Sequence, residues 1–188
     1  MKLLLKSASY PLFVLAISSI AVVFVYLFVP HEWSESYFGG RLVLFVSKFV
    51  PAMKGLMEIL PADKTYLNII GAVIWAMSPL FFLLGVISVF CPDSRKNIKT
   101  AAEVRLKILD GVYLVLGMPI LLGTFVYFSF FRVWDGGGHS KFGFWLNFVS
   151  DNIFIQVITW ASVSLGPYLF AAFSTSLIYL LVIKFRGK

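Results

Sequence analysis

Four runs of the chain are apolar for long enough to cross a bilayer, and no other feature restricts the fold so tightly. They are Pro11 to Val29, Tyr66 to Phe90, Ile108 to Phe131, and a run within Asn152 to Ile183. A helix rises 1.5 Å per residue, so about 20 apolar residues cover the roughly 30 Å hydrocarbon core. Inside that core the backbone must satisfy its own hydrogen bonds, which favours helices over open strands. Composition agrees. Only 13% of the 188 residues are charged and 60% are hydrophobic, against about a quarter charged in a soluble domain. The expectation is therefore an all-α membrane protein, a single four-helix transmembrane domain over 1–188, with spans at about 11–29, 66–90, 108–131 and 160–183. The last run is interrupted at Gly166-Pro167, where a kink or a shallow first half is expected.

The N-terminal run follows Lys2 and Lys6, as a signal peptide's would. A cleavable signal has an apolar region of about 7–15 residues ending at small residues. This run continues to Val29 without an A-x-A site, so a retained anchor is expected.

A fifth apolar stretch, Arg41 to Leu60, is a poor span. Lys48, Lys54 and Glu58 would lie inside it, and a charge near the bilayer centre costs roughly 2.5–3.5 kcal/mol. Its polar positions recur at steps of three and four, one polar stripe on a helix. An interfacial amphipathic helix over 41–60 is expected, on the extracytoplasmic side between the first and second spans, with a bend at Pro51.

Charge fixes the orientation. With both termini, the 91–107 hairpin and Asp110 at the mouth of the third run on one side, that side holds ten Lys and Arg against three carboxylates, net +7. The other side holds six of each, net zero. The whole net charge falls on one face, the positive-inside pattern, so both termini and the hairpin are expected in the cytoplasm. The basic character is thereby explained without nucleic acid, and no direct nucleic-acid binding is expected. Tyr10, Trp33, Tyr37, Tyr66 and Trp134 fall near the span boundaries, where amphipathic rings settle.

No ionisable residue lies deep in the spans, which argues against pumps and proton-coupled transporters. Small residues four apart occur at Ala72/Ala76, Ser162/Gly166, Ala171/Thr175 and Ala172/Ser176. Such steps let helix backbones approach, within one bundle or between copies, and could also form a pore-lining face. Pro79, Pro119 and Pro167 sit within the apolar runs, and each frees a carbonyl that a hydroxyl or a neighbouring helix must satisfy. Fixed bends are expected there rather than hinges.

The loops carry no catalytic constellation. His31 and Glu35 would lie one turn apart on a helix, and two ligands do not make a metal site. The glycines of WDGGGHSKFGFW lack the strand and the GK[ST] of a phosphate loop. Trp134 and Trp145 flank that loop, and its aromatic rings suit a dip into the membrane interface. Cys91, the one cysteine, has no partner for an intramolecular disulfide. No cofactor and no metal are expected, and a non-enzymatic role follows.

CPDSRKNIKTAAEVRLK, Cys91 to Lys107, is the most polar run. Asp93 or Ser94 is a plausible helix cap. Beyond it Arg95, Lys96, Lys99, Glu103, Arg105 and Lys107 form a mixed-charge helix expected to project below the bilayer. Five cations pin the loop in the cytoplasm and touch anionic lipid, which by itself could explain the run. The ordered, mixed-charge helix goes beyond what topology needs and also suits a docked cytosolic protein, which its mix of Lys and Glu favours over nucleic acid.

In length, span number and this basic hairpin the whole chain resembles the KwaA family, the membrane subunit of the bacterial Kiwa anti-phage system. The resemblance implies an inner-membrane homo-oligomer in contact with lipid, docked to a cytosolic KwaB-like protein and sensing envelope disturbance, which the interfacial helix with Lys48, Lys54 and Glu58 and the outer loop with Trp134 and Trp145 would face. No motif specific to that family is present, so no functional residue is carried over from it. Two other classes fit the same features: a bacteriocin immunity protein acting without a cytosolic partner, and a regulated pore or channel.

Overall fold

The computed structural model describes residues 9–30, 33, 36–59, 66–103, 117, 120, 123–124, 127 and 152–186. These residues form six long helices and no strand: α1 (Ser9–Phe28), α2 (Tyr37–Phe49), α3 (Pro51–Ile59), α4 (Tyr66–Val89), α5 (Pro92–Glu103) and α6 (Ile153–Arg186). Three of them, α1, α4 and α6, are long and apolar enough to cross a membrane. The first two match the sequence expectation to within a residue or two at each end. The run at 108–131 lies outside the described residues, apart from Gly117, Ile120, Gly123, Thr124 and Tyr127.

α6 is longer than the span expected at 160–183. It runs unbroken for 34 residues with Pro167 inside it. At 1.5 Å per residue it is about 51 Å long, well over the roughly 30 Å of hydrocarbon. The proline is accommodated within the helix rather than ending it.

The 41–60 stretch also differs. It begins earlier and forms two helices. Ser36, in extended conformation, caps α2, accepting a hydrogen bond from Gly39 N at 3.2 Å through its hydroxyl. The Gly39-Gly40 pair therefore sits inside the first turn rather than marking a loop. Val50 is extended (φ −121°, ψ 93°), and Pro51 opens α3, the helix position where a missing N–H costs nothing.

α4 is the central element. All seven residues from Tyr66 to Ala72 are buried, enclosed by α1, α2, α3 and α6. Its contacts with α6 climb in step along both helices. Tyr66 meets Gln156, Trp75 meets Trp160 edge-on at 5.6 Å, and Phe90 meets Tyr179 at 6.3 Å. The two helices therefore run parallel. α1 runs antiparallel to both, with Val14 beside Phe81 and Tyr168, and Tyr26 against Tyr66 at the other end.

Two apolar clusters hold the bundle. One joins α1, α2, α3, α4 and α6 around Met53, Leu67, Ile70 and Trp160. The other, nearer α5, centres on Val14, Phe81 and Tyr168. Between helices in hydrocarbon, close packing and hydrogen bonds set the association, because lipid is as apolar as leucine. Gly85 shows this directly. A Cβ there would collide with the Tyr168 carbonyl and lie 2.9 Å from Ala171 Cβ and 3.1 Å from Ala172 N. The α4 and α6 backbones touch at that level only because residue 85 has no side chain.

Candidate functional site

The polar corner where α4 turns into α5 is tightly specified. Ser88 Oγ donates to Gly85 O at 2.7 Å, and Ser94 Oγ donates back across the turn to Ser88 O at 2.9 Å. Arg95 N donates to Cys91 O at 3.0 Å, starting the α5 ladder with Pro92 in its first turn. Ser94 thus staples the corner instead of capping α5. Asp93 sits in the first turn of α5, where a carboxylate suits the positive end of the helix dipole. Cys91 is buried within the corner.

This staple holds a groove of about 500 Å³, lined by Phe90, Pro92, Arg95, Lys96, Lys99 and Thr100. Arg95, Lys96 and Lys99 are all exposed, and steps of three and four place them on one face of α5. The Arg95 guanidinium lies 5.5 Å from the centre of the Phe90 ring, a cation–π distance. Phe90 in turn packs edge-on against Tyr179 of α6, so the aromatic wall of the groove is anchored to two helices. α5 itself rests against α6. The groove therefore offers three cations, one hydroxyl and an aromatic floor to an incoming group. Like charges at such steps repel, and cations in the first turns oppose the dipole. The helix carries a local cost that an anionic partner would relieve.

Three of the six residues expected to dock a partner thus come together here. Glu103 ends α5, its side chain outside the described set, and Arg105 and Lys107 lie outside the described residues. Sequence reading missed Phe90, Pro92 and Thr100. The aromatic ring could have been found, being the last apolar residue before the charged run.

At the opposite end of α4, Lys48 and Lys54 are exposed on α2 and α3, while Glu58 is helical with its side chain undescribed. Trp134 and Trp145 lie outside the described residues. Of the small residues, Ala72, Gly166 and Ala171 are buried, Ala172, Thr175 and Ser176 are half-buried, and Ala76 and Ser162 are exposed. Four residues advance a helix position by about 40°, which carries Ala76 off the seam that Ala72 occupies. Gly85, where the α4 and α6 backbones touch, gave no signal in sequence.

A buried polar seam joins α4 to α6. Gln156 Nε2 donates to the Tyr66 hydroxyl at 3.2 Å. Asn68 Oδ1 and Trp160 Nε1 are buried without a hydrogen-bond partner among the described residues. Between α1, α2 and α4 a wholly apolar groove of about 460 Å³ is lined by Ile20, Phe24, Val29, Trp33 and Leu42, among others. Among the described residues no three His, Cys, Asp or Glu side chains gather to hold a metal.

No protein-family model, curated protein or solved structure matches this chain.

Proposed function

We propose that this chain is a non-enzymatic subunit of the bacterial inner membrane that docks an acidic surface of a cytosolic protein in the α4–α5 groove. In this reading both termini are cytoplasmic, copies of the chain assemble, and the assembly is the sensor and anchor of an anti-phage complex of the Kiwa kind. The groove carries the proposal. Arg95, Lys96 and Lys99 share one face beside a fixed aromatic ring, and Arg together with aromatic side chains is the chemistry that concentrates binding energy at protein interfaces. The resemblance supplies the oligomer and the defence context.

A four-span topology belongs to the same proposal, and helix direction supports it. α4 ends beside α5, whereas the parallel α6 starts level with the beginning of α4. The chain between them must return from one end of the bundle to the other, and the apolar run at 108–131 is long enough to make that crossing. With the positive-inside rule, α5 then faces the cytoplasm. The α2–α3 pair lies on the extracytoplasmic side and rests in the membrane interface.

Isolation of the tagged protein from native membranes in a mild detergent tests the proposal, with native-gel sizing and mass spectrometry. A stoichiometric cytosolic protein on an oligomeric membrane core supports it. A companion-free monomer would contradict it and favour an immunity protein.

A further inference from the structure

α2 turns its small and β-branched residues inward. Gly39, Val43, Val46 and Val50 are buried. Its largest apolar residues face outward, with Phe38 73% exposed, Phe49 68%, Tyr37 64% and Phe45 60%. An exposed apolar face of this density on so short a helix demands an apolar neighbour. The same face holds two cations and, along all of α2, no carboxylate. At 100° per residue, Arg41 and Lys48 lie about 20° apart around the axis and about 10.5 Å apart along it. Both are exposed, at the centre of the outer face. Tyr37 and Leu44 flank them on one side, and Phe38, Phe45 and Phe49 on the other. The Arg41 guanidinium lies 4.2 Å from the Tyr37 ring centre, which holds it over the aromatic rim.

We propose that this outer face of α2 is a binding site for the headgroups of anionic phospholipids, with Arg41 and Lys48 on phosphate oxygens and the flanking rings set among the glycerol and upper acyl segments. The proposal rests on the interfacial placement of α2–α3 given above and names the lipid class that placement selects. Charge decides the occupant. Rings and cations mixed on one helix face match the headgroup boundary, where aromatics and basic residues both settle. A planar guanidinium takes two phosphate oxygens at once, and Lys48 adds a second positive charge two turns away. A second copy of the chain is a poor occupant. A two-fold contact through this face would set the Arg41 and Lys48 cations of each copy against those of the other.

The test uses the full-length protein in lipid nanodiscs of phosphatidylcholine, with and without phosphatidylglycerol. A spin-labelled lipid reports the preference for the anionic headgroup. A fluorophore attached through Phe45→Cys, in a Cys91→Ser background, reports depth by quenching from brominated lipid. The wild-type protein should prefer phosphatidylglycerol. Arg41→Gln and Lys48→Gln should each lower that preference about fivefold, and together about thirtyfold, from roughly 1 kcal/mol per surface cation. Arg41→Lys with Lys48→Arg should retain it. Quenching with no change in preference in the double Gln variant would overturn the lipid assignment and leave the interfacial placement standing. A label that no brominated lipid quenches would overturn both and assign the face to a protein partner.

Discussion

Gln156 Nε2 lies 3.2 Å from the Tyr66 hydroxyl oxygen, pinning the first turn of α6 to the first turn of α4 across 90 positions of sequence. With Trp75 on Trp160 and the backbone contact at Gly85, this bond sets the parallel register of the two helices. Polar bonds between helices in hydrocarbon contribute about 1 kcal/mol. Gln156→Leu, which keeps the side-chain volume and loses the donor, should lower stability by about that amount. Equilibrium unfolding in mixed detergent micelles measures it. A change near zero would mean that packing alone holds the register.

Pro79 removes the N–H that would pair with the Trp75 carbonyl, and the Ser78 hydroxyl donates to that oxygen at 2.7 Å. The carbonyl that Pro79 leaves open is therefore satisfied within the same turn of α4. Ser78→Ala should cost about 1 kcal/mol by leaving a carbonyl open. The double variant Ser78→Ala with Pro79→Ala should recover stability, since the helix ladder closes again. Failure of the second change to rescue the first would show that the hydroxyl serves another role.

At Gly85 the backbones of α4 and α6 meet. Gly85→Val forces them apart, and overpacking of this kind costs about 1–3 kcal/mol. Ala76→Val, on the exposed side of the same helix, should be close to neutral for the monomer. Reading the thermal midpoints of both variants side by side checks the seam. Equal losses would contradict the geometry, and a loss of oligomer with Ala76→Val alone would place that residue between copies.

The three long apolar helices among the described residues were legible because hydropathy is local. The run from Tyr66 to Phe90 announces α4 to within one residue, whatever surrounds it. α2 begins four residues before the apolar stretch that was read as its start, because its N-terminus is set by the Ser36 hydroxyl, a cap decided by one side chain in position. The Val50 break was read as a bend, since Pro51 fits either reading in sequence. What sequence withheld is tertiary. Gly85 is one glycine among apolar neighbours, and its partners Tyr168 and Ala171 lie over 80 residues away. The cations of the groove were legible as a charged run, but the Phe90 ring beneath Arg95 needed the corner built by Ser88 and Ser94.

Docking of a cytosolic protein in the α4–α5 groove is tested by comparing groove variants in affinity isolation from native membranes. Phe90→Ala removes the aromatic floor without touching charge, so the positive-inside signal stays intact. Arg95→Gln with Lys99→Gln removes two cations, with topology checked by labelling cysteines placed at either terminus. Docking in the groove predicts one stoichiometric cytosolic protein with the wild-type chain, a reduction of about tenfold or more with each variant (about 1.4 kcal/mol), and unchanged insertion. Full recovery of the same protein with both variants correctly inserted would contradict it, and the basic corner would then be a topology signal alone.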